Sequence, residues 1–135
     1  MPPPDGNTPE TILLVEDERN VRSFVLSLLN KAGYTVITAV DGLDAMEKAS
    51  KFGGSIELLL SDVEMPRLTG VELATQFFQQ RPDTRILLMS GLPSGLLILN
   101  EGWQFLPKPF AATMLLAKIR HILKKTPEFP AALPE

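Results

Sequence analysis

The sequence predicts an α/β domain: a doubly wound, parallel five-stranded sheet with helices on both faces. Three observations carry this. Strand-like and helix-like segments alternate along nearly the whole chain, with short connections, as in repeated βαβ units. The strand-like runs are continuously apolar rather than alternating, as expected of strands covered on both faces. Several of these runs end in acidic or hydroxyl residues, and in an open parallel sheet those carboxyl ends share the edge where ligands bind.

Thr11–Val15 reads as the first buried strand. Val21, Phe24, Val25, Leu28 and Leu29 then recur at the i, i+3, i+4, i+7, i+8 spacing of a helix that buries one face. Gly33 stops that helix, because glycine tolerates the left-handed conformation common just past a helix end. Thr35–Ala39 has the β-branched composition of a second strand. Asp41 caps a second helix carrying Ala45, Met46 and Ala49, and Gly53-Gly54 marks the loop before a third strand, Glu57–Ser61. A third helix from about Gly70 to Gln80 buries Leu73, Ala74 and Phe77, and Pro82 separates it from strand Arg85–Met89. Pro93 and Gly95 interrupt the next segment, so the fourth helix is shortened to Leu96–Glu101. Gln104–Leu106 forms the fifth strand. The last helix, about Ala111 to Lys125, aligns Leu115, Ile119 and Ile122. Residues 1–10, rich in Pro and Gly, are expected to form a mobile arm, 11–125 the domain, and 126–135 a Pro-rich tail.

Composition narrows the function classes. At 135 residues the chain suits one domain whose core holds without staples. A net charge of −3 argues against a nucleic-acid footprint. No apolar stretch approaches the roughly 20 residues needed to span a bilayer, and the start of the chain lacks the pattern of a signal peptide. With no cysteine, disulfide, thiol and zinc-thiolate chemistry are excluded. A cytoplasmic location is expected.

The chemistry collects where the strands end. Glu16-Asp17 follow the first run, Asp62 the third and Ser90 the fourth, while Lys108 follows the fifth. Carboxylates, a hydroxyl and an ammonium converging on one edge suit a divalent metal and a phosphoryl group. Mg²⁺ takes hard oxygen ligands, so Asp17 and Asp62 are expected to bind it directly, with Glu16 holding a metal-bound water. A carboxylate can also act as a nucleophile and form an aspartyl-phosphate. Asp62 is the candidate, since a central strand presents it mid-pocket. Lys108 and the Ser90 hydroxyl would then contact phosphoryl oxygens.

Four segments carry a family resemblance: Ile12-Leu13-Leu14-Val15-Glu16-Asp17-Glu18, Leu60-Ser61-Asp62-Val63-Glu64-Met65-Pro66, Leu88-Met89-Ser90-Gly91 and Leu106-Pro107-Lys108-Pro109-Phe110. In this order and register they resemble the receiver domain of bacterial two-component response regulators, over about Thr11 to Lys125. The last two are similar to receivers fused to hybrid histidine kinases. The resemblance implies a flavodoxin-like sheet of order 2-1-3-4-5. It implies that Asp62 accepts phosphate from a histidine kinase or histidine phosphotransfer protein. Asp17, Asp62 and the backbone carbonyl of Glu64 would hold Mg²⁺, with Glu16 in the outer shell. Ser90 and Lys108 would sense the phosphoryl group, Phe105 would be the aromatic switch, and Lys108-Pro109 would be cis. The chain departs from the usual pattern in Glu16, which replaces an Asp, and in Phe105, which lacks a tyrosine hydroxyl. The Ser90–Lys108 spacing is also about one helical turn short of many receivers. The shortened stretch between Ser90 and Phe105 is expected to carry the output response. No output domain is expected after Lys125, so the expected partners are a phosphodonor and an unknown downstream protein, without nucleic acid or membrane. A homodimer formed on phosphorylation is among the expected states.

Other readings compete. Asp62-Val63-Glu64 imitates the Asp-x-Asp of haloacid-dehalogenase-type phosphatases, although their nucleophile follows the first strand rather than the third. A degenerate interaction module that never takes phosphate is the third class. Glu18 and Asp41 read as solvated loop ends, Ser90 alternatively as a helix cap, and Phe105 alternatively as core. His121 reads as a surface residue, and Trp103 has no evident chemical role. Lys118, Arg120, Lys124 and Lys125 complement the dipole of the last helix.

Overall fold

The computed structural model describes residues 9–91 and 103–124. Its elements follow the order β1 (Thr11–Val15), α1 (Arg19–Lys31), β2 (Thr35–Ala39), α2 (Gly42–Lys51), β3 (Leu58–Asp62), α3 (Gly70–Gln80), β4 (Arg85–Ser90), β5 (Gln104–Pro107) and α4 (Ala112–Lys124). All but Pro9 and Glu10 of the N-terminal arm lie outside the described residues, as do the shortened fourth helix and the Pro-rich tail. No helix among the described residues is long and apolar enough to cross a membrane.

The five strands are parallel in the order β2-β1-β3-β4-β5. Successive strand residues point to opposite faces, and here both faces are covered. Leu13, Val15, Leu59, Ile86 and Leu88 join Ala45, Ala49, Leu73, Ala74 and Phe77 of α2 and α3. Ile12, Leu14, Leu58, Leu60, Leu87 and Met89 join Val25, Leu29, Leu115, Ile119 and Ile122 of α1 and α4. Every residue of β1 and β3 is buried, which is why Ile12–Val15 and Leu58–Leu60 run apolar without alternation. Burying each such Leu or Ile contributes about 1.5–3 kcal/mol relative to leaving it exposed.

The helix ends follow their local chemistry. Gly33 adopts φ 97° after the α1 C-cap, a conformation that costs glycine little. Thr69 and Glu72 form a reciprocal capping box at α3. Asp41 is the expected N-cap of α2, accepting from the Asp44 N–H at 2.8 Å, and Glu18, expected only as a solvated loop end, is the N-cap of α1, accepting from the Val21 N–H at 2.8 Å. Asp41 is also buried and paired with the Arg67 guanidinium. Two further expectations are corrected. Phe24 fits the helical stripe of α1 yet is 52% exposed, because the sheet and α4 reach only the face centred on Val25 and Leu29. β3 begins one residue later than expected and takes in Asp62, whose Cα pairs in register with Met89.

The Asp41 cap gives an expected result. Asp41→Ala should lower stability by about 1–2 kcal/mol in urea titrations, as for other lost N-caps. The exposed end of its ion pair with Arg67 adds little. Accepting the Asp44 N–H, against the opposing effect of burial and with help from Arg67, holds the Asp41 carboxyl below its ordinary 3.8. A lowered folded-state value means that the contribution is present above the ordinary value and is lost as pH falls through the lowered one. The difference between wild type and Asp41→Ala should therefore shrink in acid. A difference that stayed constant into strong acid would remove the charged cap as its source.

Candidate functional site

β1 leads outward to β2 on one side, and β3 leads to β4 on the other. The crevice at the carboxyl ends of β1 and β3 is therefore the topological switch point of the sheet, where open α/β folds bind ligands. The sequence places its acidic residues there. Glu16 follows β1 directly, and its N–H donates to the Ala39 carbonyl at 3.2 Å. Its carboxylate accepts the Glu18 N–H at 3.1 Å, and its carbonyl accepts from the Arg22 guanidinium at 2.8 Å. Glu16 is buried and Asp17 beside it is exposed.

Asp62 ends β3 and is held from behind. The Val63 N–H donates to the Met89 carbonyl at 2.9 Å, and the Gly70 N–H donates to the Val63 carbonyl at 2.8 Å. A Cβ on Gly70 would stand 2.2 Å from the Asp62 carbonyl oxygen, so only glycine lets α3 start this close to the strand. Lys108 enters from the end of β5, where its N–H donates to the Ser90 carbonyl at 2.8 Å. The Lys108-Pro109 bond is cis, as the resemblance implied. The Lys108 Nζ lies 3.1 Å from Asp62 Oδ1 and 3.5 Å from Glu16 Oε1.

Carboxylate oxygens of Glu16, Asp17 and Asp62 lie within 4.8 Å of one another. Burial pushes the Glu16 carboxyl up, against the Glu18 N–H, and the neighbouring Asp62 charge raises it further. Burial likewise raises Asp62, and its bond to Lys108 only partly offsets this. Burial works against the charged form of Lys108, but Asp62 and then Glu16 outweigh it and raise that ammonium. Asp62 Oδ1 is buried without an aligned hydrogen-bond partner among the described residues, although Lys108 stands at ion-pair distance. Three clustered carboxylates whose charge the single Lys108 ammonium only partly offsets are hard oxygen donors that fit a divalent cation such as Mg²⁺.

The remaining expected residues are placed differently. Ser90, the last residue of β4, is buried, and its hydroxyl donates to Glu64 Oε2 at 2.5 Å. Phe105 is half-buried against the α2/α3 side of the core, in register with Leu88. The Glu64 carbonyl belongs to the loop after β3, which turns at Arg67 (φ 70°) and is tied by the Leu68 N–H to the Pro66 carbonyl at 2.7 Å. Sequence reasoning missed the Glu64 side chain, the Arg22 clasp on Glu16 and the close approach of Gly70. Only the last had a readable signal: glycine stands inside the Thr69-Gly70-Val71-Glu72 capping box.

The response regulator receiver domain family matches residues 12–120 of this chain. The chain belongs to that family. The sensor kinase CckA of Brucella abortus is 34% identical over 119 residues, which cover 85% of this chain and 13% of that protein. The response regulator MprA of Mycobacterium leprae is 38% identical over 125 residues, covering 90% of this chain and 54% of that one. The chain thus spans about half, or far less, of the length of these relatives. Among solved structures, the response regulator TrrA of Thermotoga maritima, in complex with Mg²⁺-BeF, superposes with a TM-score of 0.75 at 28% identity, covering 84% of this chain and 99% of that one. The receiver therefore has the expected fold and strand order and belongs to two-component signal transduction. Its likeness to a sensor kinase agrees with the hybrid-kinase wording of its sequence.

Proposed function

We propose that this receiver takes a phosphoryl group onto Asp62 from a histidine kinase or histidine phosphotransfer protein in the cytoplasm. The observation that supports this most directly is the buried Asp62 carboxylate, ion-paired with Lys108 at 3.1 Å and clustered with Glu16 and Asp17 at the switch point of the sheet. In the transfer, a carboxylate oxygen of Asp62 attacks phosphorus. The phosphorus–nitrogen bond to the donor imidazole breaks, and that nitrogen keeps the electron pair and takes a proton. Lys108 would follow the phosphoryl oxygens as charge shifts toward them. Glu16, Asp17, Asp62 and the Glu64 carbonyl would hold Mg²⁺, which supplies further positive charge to those oxygens. The Mg²⁺-BeF complex of TrrA supports this choice of cation. Ser90 and Phe105 would then report occupancy of Asp62 to a downstream protein.

On this reading the receiver is a phosphoacceptor rather than a turnover catalyst. With acetyl phosphate and Mg²⁺, intact mass should show one phosphoryl group per chain, and p-nitrophenyl phosphate should give no sustained turnover. Sustained release of nitrophenol without a protein adduct would favour the phosphohydrolase reading. Absence of both would favour the degenerate interaction module.

A further inference from the structure

Ser90 is buried at the end of β4, while Glu64 is exposed in the loop after β3, and a 2.5 Å hydrogen bond joins their side chains. A serine hydroxyl has a single hydrogen to donate. While that hydrogen lies on Glu64 Oε2, it is not available to a phosphoryl oxygen on Asp62. The bond ends on a carboxylate, so it is of the charge-assisted, stronger kind. Glu64 is solvent-exposed, so on release water can take the place of Ser90 at its carboxylate. These three facts describe a contact strong enough to set the direction of the hydroxyl and reversible enough to give it up.

We infer that the Glu64 side chain is a positioning residue that latches the Ser90 hydroxyl away from Asp62 until a phosphoryl group competes for it. This rests on the reading of Asp62 as phosphoacceptor. Occupancy of Asp62 must then break the latch, so part of the interaction between Ser90 and the phosphoryl group is spent on it. Through the latch, removing Glu64 makes the occupied state easier to reach only when Ser90 is present, because a ligand shifts an equilibrium only by its preference for one state. The Glu64 charge also acts on Asp62 directly, and that part does not depend on Ser90.

A double-mutant cycle separates the two contributions. Beryllofluoride with Mg²⁺ is titrated into wild type, Glu64→Ala, Ser90→Ala and the double variant, with bound probe followed by fluorine NMR. The gain in affinity from Glu64→Ala should be larger with Ser90 present than in the Ser90→Ala background by about fivefold, or ~1 kcal/mol. Glu64→Gln, which keeps an acceptor oxygen, should recover part of the latch. The same cycle in denaturant, with EDTA and no probe, should show coupling between the two side chains. Equal gains in both backgrounds, or no coupling in EDTA, overturn the latch while leaving Asp62 as acceptor. If wild type and Asp62→Asn both fail to bind beryllofluoride, the phosphoacceptor reading falls and the latch with it.

Discussion

Asp62→Asn should reduce phosphoryl uptake from acetyl phosphate to background, with no adduct detectable by intact mass. An amide oxygen is a poor nucleophile beside a carboxylate, and among the described residues no other carboxylate shares the setting of Asp62. Glu16 is buried with its carboxylate turned to the Glu18 N–H, and Asp17 is exposed. The variant should still fold. Burial penalises the Asp62 charge in the native state, so removing that charge in the metal-free protein costs nothing in desolvation. A melting temperature at or above that of wild type would separate loss of chemistry from loss of structure. Undiminished labelling of Asp62→Asn would sink the assignment.

Mg²⁺ should raise the stability of the wild type and leave Asp17→Asn without that increment. A ligand that binds only the folded state stabilises it by mass action. At about a hundred times its dissociation constant this amounts to roughly 2.7 kcal/mol, on the order of ten degrees in a domain of this size. In EDTA the order of the two proteins should reverse. Glu16, Asp17 and Asp62 crowd together without a cation, so Asp17→Asn relieves repulsion and should melt higher than wild type. Calorimetry in EDTA and in Mg²⁺ gives both comparisons, and a variant that kept the full Mg²⁺ shift would remove Asp17 from the site. The pH dependence of the metal-free protein has the same origin. Burial raises both the Glu16 and Asp62 carboxyls above their ordinary 4.5 and 3.8. The folded protein therefore binds these protons more tightly than the unfolded chain does. That contribution is fully present below the ordinary values and is lost as pH rises through the raised ones. Metal-free stability should fall across that window, and saturating Mg²⁺ should flatten the fall.

Hydrophobic periodicity alone determined much of this protein. The buried runs of β1, β3 and β4 and the stripes through Val25, Leu73 and Ile119 are visible as sequence, because a covered strand and an amphipathic helix each require a fixed pattern. The acidic pair after β1, Asp62 and Lys108 were also legible, since strand ends in a parallel sheet share one edge whatever their order. Which strands are neighbours was not contained in that pattern, and came only with the family resemblance. The tertiary structure decided the rest. Strand register set Asp62 beside Lys108 and Glu16, and the bend after β1 buried Glu16 while leaving Asp17 in water. Phe24 fits its helix stripe and still faces outward, because periodicity names a face but not the elements available to cover it. Asp41 was legible as a helix cap, but its pairing with the Arg67 guanidinium came only with the turn at Arg67. Ser90 points its hydroxyl at Glu64, 26 residues earlier in the chain. Such pairings depend on how strands and loops meet in three dimensions, and a one-dimensional pattern records no distances between them.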